Sequence, residues 1–119
     1  MKLQKIYPTL LTTDLAAAED WYTRLLGRGP DRRPMRTLLH WELFDHGGLM
    51  LSSSDEIAAR GMLFLYVHDL SAERHRLQGL AIELGDDIEG DYSTLAQVRD
   101  PDGNLVTLAS PPSRPFPRA

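Results

Sequence analysis

Apolar and polar positions mix along the first dozen residues, where Leu3, Ile6, Tyr7, Leu10 and Leu11 predict a strand running to about residue 12. The period then changes. Leu15, Ala18, Tyr22, Leu25 and Leu26 recur at helical spacing behind Asp14, an N-cap whose carboxylate can accept from free first-turn amides. Gly27 suits a left-handed helix stop. The stretch from Gly29 to Pro34 reads as a loop or short edge strand, and Thr37 to Phe44 as a strand. Asp45 to Gly48 reads as a turn, with Leu49 to Ser53 as its antiparallel return. A linker from Asp55 to Gly61, with room for one helical turn, separates this half from the next.

The order then begins again. Met62 to Val67 predicts an apolar strand, Asp69 a second N-cap, and Leu70, Glu73, Arg74 and Leu77 a second helix that Gly79 can end. Ala81 to Leu84 and Tyr92 to Arg99 are strand candidates. Asp100 to Gly103 spells Asp-Pro-Asp-Gly, a turn, and Leu105 to Ala109 closes the pattern as a last strand. The two cap aspartates, each followed by leucine, are 55 residues apart, and the turn glycines Gly47 and Gly103 are 56 apart. Two copies of strand–helix–strand–strand–strand therefore fill the chain. The expected class is α+β: one domain over residues 1–110, with module one at about 3–54 and module two at about 61–110. The extra hairpin strands in each half count against a ferredoxin-like sandwich. Residues 111–119, with four of the eight prolines, read as an extended or disordered tail.

Composition narrows the function. The 119 residues are 42% hydrophobic and 25% charged with a net charge of −4, which fits one globular domain and not a phosphate-backbone binder. Zero cysteines removes disulfides, thiolate metal sites and cysteine nucleophiles together. The opening residues do not read as an export signal, because Pro8 and the threonines interrupt the apolar run. No run approaches the roughly 18 to 20 apolar residues of a membrane span. A soluble cytoplasmic protein is expected, with neither membrane nor nucleic acid as partner. Nucleotide-binding, serine-hydrolase and zincin motifs are absent.

The stretches IYPTLLTTDLAAAEDWYTRLLG and MLFLYVHDL … VRDPDGNLVTLAS resemble the vicinal oxygen chelate superfamily, which includes glyoxalase I, bleomycin-resistance proteins, fosfomycin-resistance enzymes and extradiol dioxygenases. The resemblance spans roughly residues 4–110. It implies two tandem βαβββ modules whose mixed sheets curl around a cup, with helices on the convex side, and a homodimer. It also implies metal ligands on the first and last strand of each module. Those positions fall here on Tyr7, Leu51, Met62 and Thr107, which offer no ordinary ligand set for a divalent ion. No metal and no cofactor are therefore expected.

What replaces the metal centre is a mostly apolar floor with two hydroxyls. If Tyr7 and Met62 face the cup, strand parity adds Thr9, Leu11, Phe64 and Tyr66 to that face, with Leu105, Thr107 and Ala109 from the last strand. Trp41, Gln97 and Arg99 are plausible wall residues. Ligand-binding positions are thus expected at Tyr7, Thr9, Trp41, Leu51, Met62, Phe64, Tyr66, Gln97, Arg99 and Thr107, around a small hydrophobic or aromatic molecule. The alternative is that the same aromatics fill a core or a dimer seam. A second function class is an enzyme of lyase, isomerase or dioxygenase type, metal-free or with displaced ligands, for which Glu42, Tyr7 and Tyr66 are the acid–base candidates. His40 and Glu42 share one face of a strand and read either as a relocated metal or acid–base pair, or as the solvated face of an edge strand with Trp41 and Leu43 buried opposite. His46, His68 and His75 read as solvated or structural. Asp86, Asp87, Glu89 and Asp91 read as a solvated acidic loop.

Overall fold

The computed structural model describes residues 1–55 and 60–112. The chain divides into two compact units, residues 1–61 with 101–103 and residues 62–100 with 104–119.

In the first unit, β1 (Thr9–Thr12) is followed by α1 (Leu15–Leu26), β2 (Arg32–Met35), β3 (Leu38–Phe44) and β4 (Gly47–Ser53). The strands form one sheet in the order β1-β4-β3-β2, with β1 parallel to β4 and the remaining pairs antiparallel. The Asp14 carboxylate accepts from Ala17 N and opens α1; Gly27, with φ of 76°, closes it by donating to the Thr23 carbonyl. Ala18, Trp21, Tyr22 and Leu25 make the buried side of α1. The sheet answers with Leu10, Leu39, Trp41, Leu49 and Leu51, which the register puts on one face. Each such side chain withdrawn from water contributes about 1.5–3 kcal/mol, so this interface carries the unit. The β3–β4 hairpin needs glycine at Gly48, where a Cβ would meet the Trp41 carbonyl oxygen in a hard clash.

The second unit repeats the order: β5 (Met62–Tyr66), α2 (Leu70–Gln78), β6 (Ile88–Glu89), β7 (Thr94–Arg99) and β8 (Leu105–Ser110). Its sheet runs β5-β8-β7-β6, again with one parallel pair, β5 with β8. Asp69 caps α2 by accepting from Ala72 N at 3.0 Å. Helix α2 packs on β7 and β8. In the β7–β8 turn, the Asp100 carboxylate accepts from both the backbone and the side-chain amide of Asn104 at 2.8 Å. Asp100 and Asn104 are buried, and Gly103 takes a φ of 88°, which explains the residue types of the DPDGN run.

The α+β class and the duplicated βαβββ order hold. Three details differ from expectation. The opening strand is short, beginning at Thr9, with only an isolated bridge from Ile6 to Gly47 before it. Strand β3 is interior, flanked by β4 and β2, and not an edge. As expected, Gly79 ends α2; it does so with a right-handed φ of −67°, and Ala81 beyond it is left-handed at 61°. Residues 81–84 form no strand, although Ile82 and Leu84 alternate inward as a strand would. The Leu84 and Gly85 carbonyls are taken by the Arg74 guanidinium at 3.2 and 2.9 Å, and β6 forms further on. The prediction of a helical turn in the 55–61 linker falls largely on 56–59, outside the described residues, as does most of the tail.

Candidate functional site

Each sheet has one face covered by its helix and one that is not. In the first unit, the register places Thr9, Leu11, Leu38, His40, Met50 and Ser52 together on the uncovered face. Strand parity from His40 brings Glu42 to the same side. The Tyr7 hydroxyl donates to Glu42 Oε2 at 2.7 Å, and its ring meets the His40 imidazole edge-on at 4.3 Å between centroids. His40, Glu42 and Tyr7 are therefore one cluster, built from β3 and the segment leading into β1.

The cluster has a charged surround. Arg32 Nη2 stands 3.4 Å from Glu42 Oε1, and Lys5 Nζ 4.0 Å from Oε2. Asp31 accepts from the Glu42 backbone amide at 2.6 Å and donates its own amide to the His40 carbonyl at 2.9 Å, which fixes β3 beside its neighbour. The Tyr7 hydrogen bond holds the Glu42 carboxyl below its ordinary pKa; partial loss of water opposes this, and Lys5, His40 and Arg32 assist. The same bond, then desolvation and the carboxylate charge, raise the Tyr7 phenol above its ordinary value against the pull of Lys5. Asp31 is lowered chiefly by the Glu42 amide, and further by Arg28. At neutral pH Glu42 is thus a carboxylate and Tyr7 a neutral donor.

Two enclosed atoms in this cluster make no hydrogen bond, although one of them has the Arg32 charge beside it. His40 Nε2 and Glu42 Oε1 lie 3.3 Å apart, yet both are out of water and without a hydrogen-bond partner. The separation is short enough for a bond, so direction is what fails. Buried polar atoms are nearly always paired, which makes two adjacent exceptions informative.

The positions that the resemblance assigns to metal ligands do not fit one. The Tyr7 hydroxyl is engaged with Glu42, the Met62 thioether is exposed, and the Thr107 hydroxyl accepts from Gln97 Nε2 at 3.1 Å. Leu51 is on the opposite face: it pairs with Leu10 and Leu39 and is buried under α1. Phe64 pairs with Thr107 in the second unit and Thr9 with Met50 in the first, so Met50 is the counterpart of Thr107. Among the described residues, no three His, Cys, Asp or Glu side chains are grouped to hold a metal ion.

Trp41 likewise leaves the expected wall. It is fully buried on the helix side, and its indole N–H donates to the Arg28 carbonyl at 2.9 Å. The solvated-edge reading of β3 gives way as well. His40 is only 6% exposed, although Trp41 is indeed buried opposite.

In the second unit, the face away from α2 is apolar and open. Met62 is 76% exposed, and Phe64 and Tyr66 59% each, side by side along β5. Their partners on β8 are Leu105, Thr107 and Ala109, and Gln97 and Arg99 follow from β7. Thus Tyr7 and Thr9 share one uncovered face, and Met62, Phe64, Tyr66, Gln97, Arg99 and Thr107 share another. Sequence reasoning missed Lys5, Asp31, Arg32 and Met50. The alternation through Leu38, His40 and Glu42 could have pointed to Met50 as the cross-strand neighbour of His40.

Other groups are committed elsewhere. In the acidic loop, Asp87 pairs with Arg74 and Glu89 accepts from Thr94 at 3.0 Å. A cleft of about 340 Å³ beside the start of α2 is lined by His68, Asp69, Asp87 and Glu89, among others. His46 and His75 are exposed. No helix among the described residues is long and apolar enough to cross a membrane.

No family model matches the chain, and no curated protein does. Solved structures do. A glyoxalase/bleomycin resistance protein from Catenulispora acidiphila DSM 44928 is 26% identical and superposes with a TM-score of 0.82, over 93% of this chain and 100% of that one. A lactoylglutathione lyase from Agrobacterium tumefaciens gives a TM-score of 0.74 at 20% identity, over 88% of this chain and 91% of the other. The bleomycin resistance determinant encoded on transposon Tn5 gives 0.73 at 20%, over 90% and 97%. The fold is that of the glyoxalase/bleomycin resistance proteins. The resemblance to the vicinal oxygen chelate superfamily read from the sequence agrees with these neighbours.

Proposed function

We propose that this protein binds a small hydrophobic or aromatic molecule on its helix-free sheet surface, without a metal ion, in the manner of a sequestering or resistance protein. One observation carries the reading: Met62, Phe64 and Tyr66 stand open beside one another on the face that α2 does not cover. Flat aromatic and thioether groups of this kind suit a planar ligand, and the Gln97–Thr107 pair beside them supplies polar contacts. The donor set at Tyr7, Leu51, Met62 and Thr107 supports metal independence. An acid–base role draws less support, because a carboxylate whose pKa is depressed by Tyr7 is a weaker base than an ordinary one.

Thermal-shift screening of the full chain against small aromatics tests this. Saturation at about 100 times the dissociation constant stabilises by about 2.7 kcal/mol. A shift that disappears in Phe64→Ala and Tyr66→Ala is expected; a shift untouched by both removes the site. The proposal includes the homodimer that the resemblance implies, and the cytoplasm as its place of action. Light scattering should give twice the 13.4 kDa of one chain; the mass of a single chain contradicts the dimer.

A further inference from the structure

We propose that the open face of the second sheet takes an aromatic carboxylate, with its rings on Met62 and Phe64 and its anionic group on the Arg99 guanidinium. This rests on the small-molecule reading above and adds the charged group that the ligand must carry.

Register brings the parts together within one unit. Met62 pairs with Leu105 and Leu105 with Arg99, so the three form one row across β5, β8 and β7. Phe64, Thr107 and Gln97 form the next row, and the bond from Gln97 Nε2 to Thr107 Oγ1 at 3.1 Å shows that these side chains share a side of the sheet. Arg99, two residues beyond Gln97 on the same strand, projects to that side as well and is exposed. Neighbouring strands lie about 4.8 Å apart, so the backbones of Met62 and Arg99 are about 10 Å apart, with partly buried Leu105 as the floor between them. An aryl carboxylate of two fused rings spans that gap once the arginine side chain reaches inward.

Charge then selects among aromatic ligands. The chain as a whole carries −4, yet Arg99 puts a positive charge on this face, whose other described strand positions are uncharged. The acids of the adjoining loop are held elsewhere: Asp87 by Arg74 of α2, and Glu89 by Thr94, which is buried on the helix side with Ala96. A guanidinium has five N–H donors in one plane, and a carboxylate accepts from two of them in parallel while the rest serve the protein. One guanidinium therefore matches one carboxylate in both charge and shape. A cationic amine on the same rings meets like charge at Arg99, and a neutral ring system gains nothing from it.

Isothermal titration of the full chain with 2-naphthoate and 2-naphthamide tests this, because the two share rings and shape and differ in charge. At low salt 2-naphthoate should bind about five- to tenfold tighter, as for a well-aligned bidentate pair. The preference should fall to about twofold or less at about 1 M salt, where the screening length is about 3 Å. Arg99→Gln should bring the two affinities together, and Arg99→Lys, which keeps the charge and loses the fork, should keep an intermediate preference. Arg76→Gln, which removes a cation from α2 on the opposite side, should keep the full preference. Equal wild-type affinities overturn the carboxylate inference and leave the aromatic-binding reading standing; binding of neither probe defeats both. A preference that survives in Arg99→Gln, or falls as far in Arg76→Gln, also overturns it. Should a variant fail to fold, the wild-type comparison and its salt dependence decide.

Discussion

The uncovered faces of the two sheets share a topology and differ in chemistry. In the first unit the face is anchored by a closed polar cluster: Tyr7 caps Glu42, Glu42 lies against His40, and only a modest apolar strip of Leu11, Leu38 and Met50 accompanies them. In the second, the equivalent strand presents Met62, Phe64 and Tyr66 to solvent, beside the polar pair of Gln97 and Thr107. The helix-covered faces, by contrast, are both apolar: Leu10, Leu39, Trp41, Leu49 and Leu51 are buried in the first, and Ala96, Val106 and Leu108 in the second. The covered faces thus meet the same demand of packing, while the uncovered faces offer different contacts.

If the covered faces carry the fold and the uncovered ones carry recognition, substitutions should separate them. The largest effect belongs to Trp41→Ala, which empties a fully buried site on the helix side of the first sheet and should cost about 3–5 kcal/mol in chemical denaturation. Met62→Ala, on the exposed stripe, should change stability by no more than about 0.5 kcal/mol while weakening aromatic binding. Comparable losses from the two would erase the distinction. Next comes Gly48→Ala, which forces a methyl group against the Trp41 carbonyl and should destabilise by about 1–3 kcal/mol.

The polar cluster should show itself through pH. Glu42 is lowered from 4.5, so its stabilisation is present above that value and is lost as pH falls through the lowered one. Tyr7 is raised from 10.0, so its contribution is present below that value and is lost as pH rises through the raised one. Tyr7→Phe should flatten the alkaline flank of a stability–pH profile and soften the acid one. Unchanged flanks would mean that the pair is not formed in solution. The smallest effect is Ala81→Gly, which relieves a left-handed backbone at 61° and should stabilise by up to about 1 kcal/mol.

Much of this architecture was legible because local chemistry and long-range packing agree. Asp14 and Asp69 cap both helices as their positions predict, and the inward leucines of β3 and β4 follow strict alternation. Register was less legible. The resemblance paired Thr107 with Leu51 by counting from turn glycines, but the β3–β4 hairpin joins Phe44 to Gly47, whereas the β7–β8 connection runs from Arg99 to Leu105. The longer turn displaces the count by one, and a one-residue slip moves a side chain through the sheet. Thr107 is thus matched by Met50, and Leu51 goes to the core. The cluster was half visible: alternation joined His40 to Glu42, but Tyr7, 35 residues from Glu42, reaches it only through the pairing of β1 with β4 and β4 with β3. Residues 81–84 misled because Ile82 and Leu84 point inward without a neighbouring strand, while the Leu84 and Gly85 carbonyls are taken by Arg74.

Amide chemical-shift mapping of the intact protein during titration with 2-naphthol addresses ligand binding most directly. Perturbations should concentrate on β5 and β8 around Phe64, Tyr66 and Thr107, while the exposed backs of α1 and α2 stay silent. Shifts confined to the helices, or a spectrum unmoved at saturating probe, would contradict binding on the uncovered face of the second sheet.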